Sequence, residues 1–194
     1  MYLGQEYSII GNWFIIHFTE NNGMAFGMEF EGNYGKLFLS TFRIIAVFSL
    51  GYYIYHLSRK KAPTGLLISF ALIFAGAVGN IIDSAFYGML FNESSNQIAS
   101  FLPQEGGYSS FLHGKVVDMF YFPLIEGHFP SWFPIWGSEE FIFFRPVFNF
   151  ADASISIGVF IILINQKKFF KPSKINREIE EENTEKIESD TDTV

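Results

Sequence analysis

Residues 147–164 read VFNFADASISIGVFIILI, an apolar stretch with one ionisable residue, Asp152, near its start. Because a helix needs roughly 17 to 25 mainly apolar residues to cross a bilayer, this stretch predicts a transmembrane span. An ionisable side chain in such a span is costly unless it is paired or hydrated, which makes Asp152 a candidate functional residue. A plainer interpretation is an acid near a helix N-terminus, where the helix dipole favours negative charge.

Two further stretches, about 37–57 and 66–82, are also apolar enough to span a membrane. The first includes Arg43, whose long side chain is expected to reach towards the lipid headgroups. The second is rich in small residues such as Gly76 and Gly79, which let helices pack closely in lipid. The sequence therefore predicts an α-helical integral membrane protein, a transmembrane helix bundle with three spans in this chain.

Basic residues form two clusters that predict the orientation of the spans. One cluster, at 59–61, lies between the first two spans, and the other, at 167–174, follows the third. Short cytoplasmic loops are enriched in Lys and Arg, so both clusters are expected in the cytoplasm. The segment 1–36 and the connection 83–146 are then expected on the outer face.

The predicted outer segments and the tail differ in character. GNWFIIHFTE (11–20) is β-branched and aromatic and precedes the turn signal NNG, so 1–36 is expected to be a small β-rich segment. Aromatic clusters in the outer connection are typical of a membrane interface. Residues 166–194 are basic and then acidic, which predicts a disordered cytoplasmic tail.

Composition excludes several classes of function. Residues 175–194 carry eight acidic and two basic residues, so most of the net charge of −7 lies in the tail. No general basic surface remains for nucleic acid. The chain has no Cys, which excludes disulfides and thiolate catalysis. Its four His are scattered and form no HExxH pair, so we expect no metal and no cofactor.

A second acid, Asp118, lies in the mostly apolar stretch GKVVDMFYF (114–122), on the same predicted side of the membrane as Asp152. Two carboxylates that share a site cannot both ionise cheaply, so one keeps its proton. Such a pair offers a base and an acid together, which peptide hydrolysis by water requires. The sequence alone does not bring the two residues together.

Four motifs, in order, resemble those of lipoprotein signal peptidase, also called signal peptidase II. The motifs are FTENNGMAFG (18–27), AGAVGNIID (75–83), GKVVDMF (114–120) and FNFADASI (148–155). The resemblance assigns catalysis to Asp118 and Asp152. It also implies that Asn21, Asn80 and Asn149 bind substrate or orient groups near the site, with Asp83 as a further orienting acid. Backbone capping is the simpler role for the asparagines.

The resemblance further implies an aspartic endopeptidase that removes signal peptides from diacylglyceryl-modified prolipoproteins, cutting before the lipidated cysteine. Its partners would be that substrate and membrane lipids, and it would act as a monomer. Its expected location is the bacterial inner membrane, as a multi-pass protein with the active site near the outer, periplasmic face.

The sequence departs from the family pattern in three places. The family has four spans, the first bearing Asp-Gln and a later Lys, whereas three spans are recognised here. Ser84 stands where the family has Arg. Residues 89–113, MLFNESSNQIASFLPQEGGYSSFLH, form an insertion for which a lid, a partner surface and a neutral loop all remain open.

The main alternative is a non-enzymatic membrane protein, such as a small transporter or proton-coupled protein with Asp152 as a relay. A relay through the membrane would need more ionisable residues than Arg43 and Asp152, which are the ones found in the spans. A Ser-Lys peptidase using Ser109 or Ser110 with Lys115 has no support from residue spacing.

Overall fold

The structure is a computed structural model that describes residues 1–21, 33–128, 140–143 and 146–170. Within these residues, two strands are followed by two long helices, four short strands and a third long helix. The elements are β1 (Glu6–Ile10), β2 (Phe14–Asn21), α1 (Asn33–Arg59), α2 (Thr64–Leu90), β3 (Val116–Tyr121), β4 (Ile125–His128), β5 (Glu140–Phe143), β6 (Val147–Phe148) and α3 (Phe150–Phe169).

Among the described residues, three helices are long and apolar enough to cross a membrane, as the sequence predicts. Their outer surfaces expose large apolar side chains, such as Phe48 at 75% and Phe160 at 63% exposure. A soluble protein rarely leaves so much apolar surface uncovered, whereas a lipid bilayer would cover it.

Two helices differ in extent from the predicted spans. Helix α2 runs to Leu90, past the predicted end of the second span at 82, and it includes the polar residues Asp83 and Ser84. The connection predicted for 83–146 therefore begins within this helix. Helix α3 begins at Phe150 and not at 147, because the two residues of β6 pair with β3.

Close backbone contacts join α2 to α3. A Cβ added at Gly76 would lie 2.3 Å from the backbone oxygen of Ala151. One added at Gly158 would lie 2.5 Å from the backbone oxygen of Ser69. Glycine at these crossings lets the two helices approach more closely than larger residues would allow.

The strands form a four-stranded antiparallel sheet in the order β1-β2-β3-β6, and β4 pairs with β5 separately. The predicted N-terminal strands are thus present as β1 and β2. Asn149 alone separates β6 from α3, so the sheet leads directly into the third helix. The predicted tail beyond residue 170, and the part of the first motif that contains Gly23 and Gly27, lie outside the described residues.

Candidate functional site

Asp118 lies in the middle of β3, where the adjacent strand β2 supplies two of its partners. Thr19 pairs directly across from Asp118 in the sheet, and its hydroxyl donates to the Asp118 backbone oxygen at 3.2 Å. Asn21, two residues along on the same face of β2, donates from Nδ2 to Asp118 Oδ2 at 3.2 Å. Asp118 is only 4% exposed, so its carboxyl is held in a largely dry setting.

Asp152 is held by the N-terminal cap of α3. Asn149 is the N-cap residue, and its Oδ1 accepts a hydrogen bond from the Asp152 backbone N–H at 3.0 Å. In return, the Asn149 backbone N–H donates to Asp152 Oδ2 at 3.3 Å. This reciprocal arrangement is a capping box, which fixes the Asp152 side chain while it satisfies two backbone donors.

Asn149 also bridges the two acids. Its Nδ2 donates to Asp118 Oδ1 at 2.7 Å and to Asn80 Oδ1 at 3.2 Å. Asn80, on α2, in turn donates from Nδ2 to Asp152 Oδ1 at 3.0 Å. Two carboxyls from a strand and a helix are therefore joined through two neutral amides, which hold them near each other without adding charge.

Burial raises the pKa of Asp118 to about 6. The hydrogen bond from Asn21 opposes this rise in pKa, whereas the negative charge of Asp152 adds to it. Asp118 is thus suited to hold a proton at a pH where an ordinary aspartic acid has lost it. One protonated and one ionised carboxyl can act as acid and base on the same substrate.

Asp83 lies about one turn beyond Asn80 on α2 and does not join the amide bridge through any hydrogen bond that the structure describes. It forms a hydrogen bond with the Tyr87 hydroxyl and interacts electrostatically with both Asp118 and Asp152. On α1, Arg43 interacts electrostatically with Asp152. Sequence reasoning did not anticipate this interaction.

Aromatic packing fixes the junction between β3 and α3. The ring of Phe120, two residues after Asp118, lies 4.6 Å from that of Phe150 in an edge-to-face contact. It also lies 6.0 Å from the ring of Phe148. Phe148 and Phe150 flank Asn149, so these contacts hold the bridging residue in position beside Asp118.

A cavity of about 520 Å³ adjoins β3. Val117 and Met119, the neighbours of Asp118 in the strand, line the cavity, and neither Asp118 nor Asp152 does. Asn149 and Asp83 line it as well, so the cavity adjoins the site through the bridging amide.

Five of the six residues singled out from the sequence thus meet in one network, and Asp83 lies at its margin. Sequence reasoning missed Thr19 and the role of Arg43. Thr19 is part of the first quoted motif, so its position could have signalled a role. An N-cap spacing of three residues between Asn149 and Asp152 could likewise have suggested their reciprocal bonds.

Helices suited to crossing a membrane, together with two acids joined through asparagine side chains, indicate a class: a membrane protein whose site is suited to acid–base chemistry. A family model described as signal peptidase (SPase) II matches residues 1–168. The chain belongs to this family, so it is a peptidase. This finding confirms the resemblance drawn from the four motifs and disfavours the transporter alternative.

Curated relatives agree with the family. A lipoprotein signal peptidase of Porphyromonas gingivalis is 56% identical over 165 residues, which cover 84% of this chain and 71% of that protein. One of Amoebophilus asiaticus is 38% identical over 166 residues, covering 85% of this chain and 66% of that protein.

Solved structures share the fold. One described as a bacterial membrane enzyme at 2.3 Å resolution matches with a TM-score of 0.54 and 24% identity, over 90% of this chain and 79% of the other. A second with the same description, at 1.9 Å, has a TM-score of 0.53 and 26% identity, over 89% and 79%.

Proposed function

We propose that this chain is an aspartic endopeptidase that removes signal peptides from diacylglyceryl-modified prolipoproteins, cutting before the lipidated cysteine. Family membership supports the class of substrate. The bridge from Asp118 through Asn149 to Asp152 is the observation that carries the aspartic mechanism. The enzyme would act as a monomer in the bacterial inner membrane, with its site near the outer face.

In the proposed mechanism, Asp152 is the base and Asp118 the acid. Asp152 takes a proton from water, whose oxygen attacks the scissile carbonyl carbon, while protonated Asp118 donates to the carbonyl oxygen. The raised pKa of Asp118 supports its role as the proton donor. The position of Asp152 in the first turn of α3 supports its ionised role, because the helix dipole favours a negative charge there.

The tetrahedral intermediate then collapses. Asp118 takes back the proton from the oxygen, the C–N bond breaks, and Asp152 passes its proton to the leaving amine. The products are a signal peptide with a new carboxyl group and a lipoprotein with a free α-amine on its cysteine. These transfers return both acids to their starting protonation, ready for the next water.

The test is cleavage of a diacylated prolipoprotein in proteoliposomes, followed by gel shift with a chelator present. Asp118→Asn and Asp152→Asn should each lower the rate by about a thousandfold or more, and the double variant should be little worse, because the groups act as a unit. Glu105→Gln, at an exposed acid, is the matched control and should cleave normally. Near-normal cleavage by either single variant, or loss of wild-type cleavage on chelation, would contradict the dyad.

A further inference from the structure

The segment after α2 is bonded tightly to that helix. Its backbone N–H groups donate to carbonyl oxygens of the last turns of α2 and of the residue that follows it. These bonds run from Tyr108 to Phe91, from Ser109 to Gly88 and from Gly114 to Ser84, at 2.8 to 2.9 Å.

Glycines make this packing possible. A Cβ at Gly107 would fall 2.2 Å from the Gly88 backbone oxygen, and one at Gly114 would fall 2.8 Å from the Asp83 backbone oxygen. The inserted residues therefore form a layer packed against the end of α2.

A part-buried ion pair joins the same segment to the sheet. Lys115 Nζ lies 2.7 Å from Glu20 Oε2, and the Glu20 side chain is only 9% exposed. Ser94, 1% exposed, donates from its hydroxyl to the other oxygen of Glu20. Glu20 pairs opposite Val117 in the register of β2 and β3, so the ion pair lies beside the cavity and across the strand from Asp118.

This layer supplies one wall of the cavity. Phe91, Asn92, Ala99 and Tyr108 line the cavity from the segment, and Met119 lines it from β3. A volume of about 520 Å³ falls within the range of ligand-binding clefts.

We propose that this cavity is a second subsite, which binds an apolar stretch of the substrate peptide, and that the four residues lining it from this segment, Phe91, Asn92, Ala99 and Tyr108, set which side chains fit. The inference rests on the proposed function and adds the element that selects the substrate sequence. Asn149 lines the cavity and bonds to Asp118, so a peptide held there lies next to the acids.

The lining chemistry favours a peptide over an acyl chain. Aromatic and aliphatic side chains share the cavity wall with Asp83, Glu20 and Asn149. In the part of the chain that the structure describes, no Lys or Arg lies within 4 Å of the Asp83 carboxyl. A hydrocarbon chain would shield this carboxyl from water and offer it no donor, whereas a peptide offers N–H groups to it.

The chain has no Cys, so a single introduced thiol can report on the cavity. Ala99→Cys places a small thiol on the cavity wall. Ile98→Cys is the matched control, because the Ile98 side chain is 65% exposed and does not line the cavity. The rate of thiol alkylation is measured in proteoliposomes with an unlipidated signal peptide that carries Ser in place of its cysteine. A second series contains diacylglycerol without peptide.

The peptide should slow alkylation of the Ala99→Cys variant by about fivefold or more and leave the Ile98→Cys variant unchanged, and diacylglycerol should protect neither. Alkylation at position 99 should raise KM by about tenfold with little change in kcat, whereas alkylation at position 98 should alter neither.

Protection of the thiol at position 99 by diacylglycerol alone would identify an acyl-chain pocket and overturn the proposal, as would the absence of any protection. Because protection needs no hydrolysis, an enzyme that binds peptide but fails to cleave would contradict the proposed function alone.

Discussion

Gly76 of α2 packs directly against the backbone of Ala151, the residue that precedes Asp152, with only 2.3 Å between the Ala151 oxygen and the place a Cβ would occupy. Asn80 lies one turn further along α2 and bonds to Asp152. Gly76→Ala should therefore push α2 and α3 apart and lengthen the 3.0 Å hydrogen bond between Asn80 and Asp152. Misplacement of this kind is expected to slow prolipoprotein cleavage by about a hundredfold.

Gly79→Ala is the matched control for this prediction. Its Cβ would meet the Ala151 Cβ at 3.5 Å, an ordinary contact, so kcat should stay within about twofold of wild type. Because Gly79 also lines the cavity, both variants are compared by kcat at saturating substrate. Both proteins should be present in the membrane at equal amounts by immunoblot. Equal activity of the two variants would show that the close helix contact does not position the site.

The raised pKa of Asp118 predicts the pH above which the enzyme loses activity. If Asp118 must be protonated, kcat/KM should fall above about pH 6, because this quantity follows the ionisation of the free enzyme. Asn21→Ala removes a hydrogen bond that lowers the pKa of Asp118, so this fall should move to higher pH by about half a unit or more. If kcat/KM falls at the same pH in the wild type and in Asn21→Ala, the assignment of Asp118 as the acid is contradicted.

The same shift predicts how stability depends on pH. The folded pKa of Asp118, about 6, exceeds the unfolded value of 3.8, so the folded state binds more protons between these values. Stability should therefore fall as pH rises from about 4 to 6, by an amount on the order of 2 to 3 kcal/mol, and level off above. Asp118→Asn should lose much less in Tm over this window. An equal loss in both proteins would place the titrating group elsewhere.

Because the chain has no Cys, single introduced thiols can also test its orientation in the membrane. Ser95→Cys, in the connection after α2, should react with a membrane-impermeant maleimide on intact spheroplasts, because 91–115 is expected on the outer face. Lys60→Cys, in the turn between α1 and α2, should react only after the cells are opened. The reverse pattern would invert the proposed topology.

Much of this architecture is readable from local patterns. Length and apolarity predict three helices, and β-branched and aromatic residues at 11–20 predict a strand there, which β2 provides. Two helix ends differ from the predicted span ends. Helix α2 includes the polar residues Asp83 and Ser84, which follow the apolar stretch, and the apolar residue Val147 pairs with β3 instead of starting α3.

The candidate site, too, can be predicted only in part from the sequence. Motifs single out Asp118 and Asp152, but their proximity depends on Asn149, which caps a helix and reaches a strand at once. No periodicity in the sequence encodes that contact, since it arises from how β3 lies against the start of α3. The electrostatic interaction of Arg43 with Asp152 likewise links residues far apart in the sequence.

A single residue, Asn149, connects β6 to α3. A helix tilts when the hydrocarbon layer around it becomes thinner than its apolar length. With one residue between them, α3 cannot lean without turning β6, and the contact between Phe120 and Phe148 carries that rotation into β3. The thickness of the surrounding bilayer thereby becomes a determinant of how the two carboxyls are aligned, and lipids of unequal acyl length should support unequal rates of turnover.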